Sequence, residues 1–253
     1  MVDFCIMEIH KENKCGKEKI MNFISLKDLP KKVYKFMPYH RLNNLYITGS
    51  IFINHLNNYS EKKLGKEIGD DLEGHLNSDI YIEDYTFSDS SKDNRNKNLE
   101  RTMKENGFID HDSTSTITVK QGNFHQKLID NNYFVYCVCL TSDPKVKNEF
   151  GGSTQVIYDF PYYINSLNRS LEKEGIEIFD CGACEYITAR KQVFDQKTRD
   201  FICKKPYLIK DERYSYQLEY RVLWRYKNKK RINKPLLIPA REAIDNYCYL
   251  TNN

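Results

Sequence analysis

An α+β fold is what this chain predicts: a mixed, mostly antiparallel sheet with flanking helices. Three observations point there. Strand-like runs outnumber helical ones along the 253 residues, and no internal repeat is visible. Residues 133–140 (Tyr-Phe-Val-Tyr-Cys-Val-Cys-Leu) are nearly all apolar, as a central strand buried on both faces must be. Residues 162–174 carry the one clear helical stripe, with Tyr163, Ile164, Leu167 and Leu171 on one side.

Taken in order, residues 20–26 read as a strand or short helix, and the chain then becomes extended over 34–41, because Pro38 pushes its predecessor out of helical space. A helical turn at 42–45 and a strand around Gly49 come next. Residues 57–79 are polar and glycine-punctuated. Residues 84–112 hold so few large apolar groups that they predict a mobile insertion or lid within one domain spanning 1–253. Residues 113–119 alternate like a half-exposed strand, Asp143-Pro144 and Gly151-Gly152 mark turns, and 155–160 and 185–189 are further strands. Gly175 is placed to end the helix. A final pair of strands, 214–225 and 236–239, reads as a hairpin whose turn is Lys227-Asn228-Lys229-Lys230-Arg231.

Composition narrows the class. With 39 basic and 35 acidic residues the net charge of +4 is mild and does not by itself declare a nucleic-acid binder. No apolar run approaches the length of a membrane span, so no membrane partner is expected. Residues 1–8 carry an early acid and no basic region, unlike a signal peptide, which predicts a cytoplasmic protein whose eight cysteines are reduced. Cys181-Gly182-Ala183-Cys184 has zinc-knuckle spacing, but no second pair completes a ligand set, so no metal is expected. The acids Asp70, Asp71 and Glu73 sit among glycines, as a solvated loop would.

The stretch 214–225 organises the functional reading. On a strand, Gln217, Glu219 and Arg221 share a face. Glu219 stands among Leu218, Tyr220, Val222 and Leu223, where a carboxylate either pairs with Arg221 or Arg225 or has a task. Gln217-Leu218-Glu219, entered from a turn bearing Tyr214 and Tyr216, resembles the Gln-x-Glu signature of ADP-ribosyltransferases, most nearly the small Rho-modifying exoenzymes, over about a dozen residues. That resemblance implies a split β-sandwich and transfer of ADP-ribose from NAD to a macromolecule, in the manner of a toxin or phage-conflict protein with an antitoxin partner. Glu219 would stabilise the ribosyl cation, Gln217 would orient the acceptor, and Tyr214 or Tyr216 would supply the aromatic contact. NAD would be held by His40 and Arg41 early in the chain. The middle element stays open between Ser113 of Ser113-Thr114-Ser115, Ser153 and Tyr186. The basic run, Arg225, Lys227, Lys229, Lys230 and Arg231, with Tyr220, Trp224 and Tyr226 interleaved, could track a DNA or RNA acceptor. The rival function is a nucleic-acid-binding protein with no catalysis, built on that hairpin.

Overall fold

The computed structural model describes residues 29–59, 62, 65, 69–87, 100, 103–104, 117–188, 191–195 and 205–251. In chain order these form β1 (Val33–Pro38), α1 (Tyr39–Thr48), β2 (Ser50–His55), β3 (His75–Phe87), β4 (Ile117–Ile129), β5 (Phe134–Cys139), α2 (Pro144–Glu149), β6 (Gly152–Ile157) and α3 (Phe160–Glu172). The chain continues through β7 (Ile176–Ala183), β8 (Glu185–Ile187), β9 (Lys191–Asp195), β10 (Ile209–Asp211), β11 (Glu219–Tyr226), β12 (Leu236–Pro239), α4 (Arg241–Tyr247) and β13 (Cys248–Thr251). The fold is α+β, and its largest sheet is antiparallel throughout.

Contacts gather the chain into two compact units. The smaller holds β3, β4 and β9 in a three-stranded sheet, with β3 and β4 antiparallel and β9 parallel to β3. Its core is Ile82, Tyr85, Phe87 and Met103. The polar stretch expected to be an insertion from residue 84 therefore begins inside a strand, because Tyr85 and Phe87 have apolar partners to bury against. Residues 88–116, Ser113 included, lie outside the described residues apart from 100, 103 and 104.

The larger unit is built on an eight-stranded sheet that forks at β5. One edge of β5 is lined along its whole length by β11, from Glu219 opposite Cys139 to Trp224 opposite Phe134. The other edge is shared: β2 takes its start and β1 its end. One arm continues to β12 and the other through β6 to β13, while β7 lies beyond β11. Beside this forked sheet the unit holds a small parallel pair, β8 with β10. β11 and β12 are not a hairpin. They flank β5 from opposite sides, and residues 227–235 cross between them.

The two faces of this sheet differ. Phe134, Tyr136 and Val138 of β5 and Tyr220, Val222 and Trp224 of β11 bury against Phe160, Tyr163, Ile164, Leu167 and Leu171 of α3, with Leu45 of α1 and Ile244 of α4 in the same core. The period-2 alternation of strands meets the period-3.6 stripe of α3 there. Pro161 in the first turn suits the start of α3, and Gly175, at φ 71°, turns the chain after it. Asp143-Pro144 starts α2 rather than a free turn: the Asp143 side chain accepts hydrogen bonds from the Lys145 and Val146 amides. The opposite face of β5 and β11 carries Val135, Cys137, Cys139, Glu219, Arg221 and Leu223, and there the candidate site lies.

Candidate functional site

The segment leading into β11 is not strand. Residues Glu212–Gln217 form a 3₁₀ helix, Leu218 takes a left-handed conformation at φ 42°, and the strand starts at Glu219. Gln217 and Glu219 consequently do not share a strand face by parity. They converge all the same, because the left-handed Leu218 swings the chain so that both side chains meet the Lys210 ammonium. Lys210 Nζ donates to the Gln217 Oε1 at 2.6 Å and to the Glu219 Oε2 at 2.7 Å. A non-glycine residue in this conformation costs roughly 1–2 kcal/mol, so the surroundings enforce it.

Within β11 the expected parity holds. Arg221 Nε donates to Glu219 Oε1 at 2.5 Å, and its terminal nitrogens make a two-pronged contact with Glu73, at 2.7 and 2.8 Å. Arg221 also donates to the Tyr207 carbonyl at 2.8 Å. Two acids and two bases thus form one continuous, charge-balanced cluster, and none of Glu73, Lys210, Glu219 and Arg221 is more than 6% exposed. Burial alone would push the Glu219 carboxyl up, but the Arg221 and Lys210 charges outweigh it and hold the group well below the usual carboxylate range. Burial would likewise depress Lys210, and Glu219 and Glu73 reverse that, holding its ammonium above its ordinary value. Around the cluster stand thiols that burial makes inert: Cys137 and Cys139 are each pushed up to about 12, first by desolvation and then by the Glu219 charge. Cys184 approaches Glu219 Oε1 at 3.8 Å.

Of the residues named from sequence, the structure assembles Glu219, Gln217 and Tyr186. The Tyr186 hydroxyl accepts from the Glu219 amide at 2.8 Å, and Tyr186 pairs with Lys210 across β8 and β10. Ser153 lies elsewhere, in β6 opposite Met37. Tyr214 is buried: its hydroxyl donates to the Gly69 carbonyl and Lys210 sits 4.9 Å above its ring, so it cannot offer a face to a ligand. Tyr216 is half-buried, donates to Glu149 at 2.7 Å and carries the Lys145 ammonium 3.8 Å above its ring. His40 and Arg41 are misplaced for the role expected of them. They begin α1 instead of ending an extended segment, both are exposed, and α1 packs through Leu45 on the opposite face of the sheet. Pro38 is extended as expected, but proline suits the position before a helix as well as a strand.

Two members of the cluster escaped the sequence reading. Glu73 is buried rather than solvated, and nothing in a glycine-flanked acidic loop distinguishes that. Lys210 had a signal: it comes after Tyr207-Leu208-Ile209, an apolar run where a lone cation needs a partner as much as Glu219 does. The basic residues also sort differently. Arg225 donates to Glu177 at 2.9 Å and stacks on Phe179. Lys227, Lys229, Lys230 and Arg231 are exposed on the crossing segment after Tyr226. They stand at the far end of β11 from Glu219, roughly 23 Å along the strand at about 3.3 Å per residue, and not at the rim of its site. Among the described residues no group of three or more metal-ligating side chains is gathered, and no helix is long and apolar enough to cross a membrane.

No family model, no curated protein and no solved structure matches this chain.

Proposed function

We propose that the Glu219 cluster is the catalytic centre of an ADP-ribosyltransferase that moves ADP-ribose from NAD to a macromolecular acceptor, as the toxins sharing its Gln-x-Glu motif do. The observation that carries this is the convergence of Gln217 and Glu219 on Lys210 through a strained Leu218. In the reaction the bond between ribose C1′ and the nicotinamide nitrogen breaks, its electron pair leaves with nicotinamide, and the acceptor's lone pair bonds C1′ as its proton passes to solvent. A carboxylate held this firmly ionised is a weak base. Its part is electrostatic, opposing the positive charge that develops on the ribose. A carboxylate offers about four lone-pair sites. Lys210, Arg221 and Cys184 engage three at Glu219, which leaves one on Oε2 for a ribose hydroxyl. Tyr186 and Tyr216 are the aromatics near enough to the motif to hold the nicotinamide half, a role His40 and Arg41 do not share.

The second reading is architectural: a neutral, buried four-charge cluster that fixes how β8, β10 and β11 meet. Its supporting observation is that the Glu219 side chain is only 8% exposed. Glu219→Gln does not separate the two readings, because it strands a buried cation. Glu219→Asp does, since it keeps the charge and withdraws it by one methylene. With NAD labelled in its nicotinamide half and protein, DNA and RNA offered as acceptors, wild type should release nicotinamide. Glu219→Asp should lower that rate about a hundredfold at an unchanged fold. No nicotinamide release by wild type, or equal release by Glu219→Asp, leaves the architectural reading.

A further inference from the structure

The loop 227–234, which crosses from β11 to β12, holds five cations and no acid: Lys227, Lys229, Lys230, Arg231 and Lys234. All five are exposed, and no ion pair links any of them to a described acid. They exceed the chain's whole net charge of +4, so the remainder of the molecule is slightly acidic and the positive excess is concentrated here. The loop is also pinned. The Lys227 amide donates to the Gly175 carbonyl at 2.9 Å and the Lys229 amide to the Tyr226 carbonyl at 2.8 Å. Asn132 grips it twice, accepting from the Ile232 amide at 2.9 Å and donating to the Lys230 carbonyl at 3.3 Å. Ile232 is buried in the main core, and Lys229 is held at φ 56°, a left-handed conformation that a lysine adopts only when the surroundings impose it.

We propose that this loop is a docking surface for the phosphate backbone of a nucleic acid. Ammonium and guanidinium groups without a carboxylate partner, set on a fixed frame, gain from counterion release without ordering a floppy segment. The loop's one apolar side chain, Ile232, is buried in the core, so the loop itself offers no apolar group to a bilayer. Arg225 is outside the set, since the Glu177 carboxylate already pairs with it. The surface is independent of the Glu219 reading and stands or falls without it.

The test is fluorescence anisotropy of labelled single-stranded DNA, single-stranded RNA and duplex DNA across a salt series, with anionic vesicles as a further arm. Wild type should bind at low salt with a steep negative slope of log affinity on log salt. Lys229→Gln/Lys230→Gln/Arg231→Gln should flatten that slope by about 0.7–0.9 for each phosphate no longer neutralised. Asn132→Ala keeps every charge and loosens the frame, so affinity should fall with the slope unchanged. Lys31→Gln, near the opposite end of α3, should change nothing. An unchanged slope in the triple variant, no binding to any of the three nucleic acids, or binding to vesicles alone overturns the proposal.

Discussion

Both ends of β11 gather cationic side chains and treat them in opposite ways. At its start every charge in the cluster has an opposite charge within 3 Å: Lys210 and Arg221 meet Glu219, and Arg221 meets Glu73 again. Beyond its end, Lys227, Lys229, Lys230 and Arg231 have no such neighbour among the described acids and face solvent. Burial makes the difference. A charge taken out of water is tolerated only beside its complement, so the buried end is forced to balance. The exposed end is under no such constraint, and its imbalance remains available to an outside partner. A cluster of charges is therefore uninformative until its burial is known.

The largest way to break this contrast is Arg221→Met, which leaves Glu73 and Glu219 facing Lys210 alone. Breaking a buried pair costs about 3–5 kcal/mol, and urea denaturation should show it as a lower midpoint. The double variant Glu73→Met/Arg221→Met removes one charge of each sign and spares the Glu219–Lys210 pair. It should be clearly more stable than Arg221→Met alone, and a double-mutant cycle in which the two changes simply add would mean the pair is not coupled.

Acid comes next. The folded Glu219 carboxyl titrates below its unfolded value of about 4.3. The stability it contributes is complete above that pH and is lost as pH falls toward the folded value. Lys210 runs the other way: its folded value lies above the unfolded value of about 10.4, so its contribution is complete below that pH and fades as pH rises through the folded value. Glu219→Gln has no carboxyl to protonate, so the gap in unfolding free energy between it and wild type should narrow below about pH 4. A gap that stayed constant with pH would contradict the balanced cluster.

The smallest effect should be at the other end. Lys230→Glu lies on the exposed loop and should move stability by less than about 0.5 kcal/mol. A large loss there, read by thermal melting, would show that the loop's cations serve the fold after all.

Legibility in the sequence varies by element. β5, α3 and the Glu219–Arg221 face of β11 could be read because each carries one clean pattern, an unbroken apolar run or a single periodicity, matched by its burial. β3 could not, since its polar and apolar residues mix without a clean alternation and its core partners come from β4 and around Met103. The 3₁₀ entry to β11 was hidden by aromatic residues that suit strands in composition alone.

The sequence by itself determined the α+β class, the apolar central strand, the helix that covers it and the shared face of Glu219 and Arg221 on β11. These depend on periodicity and near-neighbour chemistry, both local. Tertiary structure alone decided that Glu73 and Lys210 complete the cluster, that His40 and Arg41 fall on the other face, and that β11 and β12 flank β5 instead of pairing. Each of those facts depends on which distant segments share a strand edge or a sheet face. Glu73 lies 148 positions from the Arg221 it binds, a separation that no local pattern encodes.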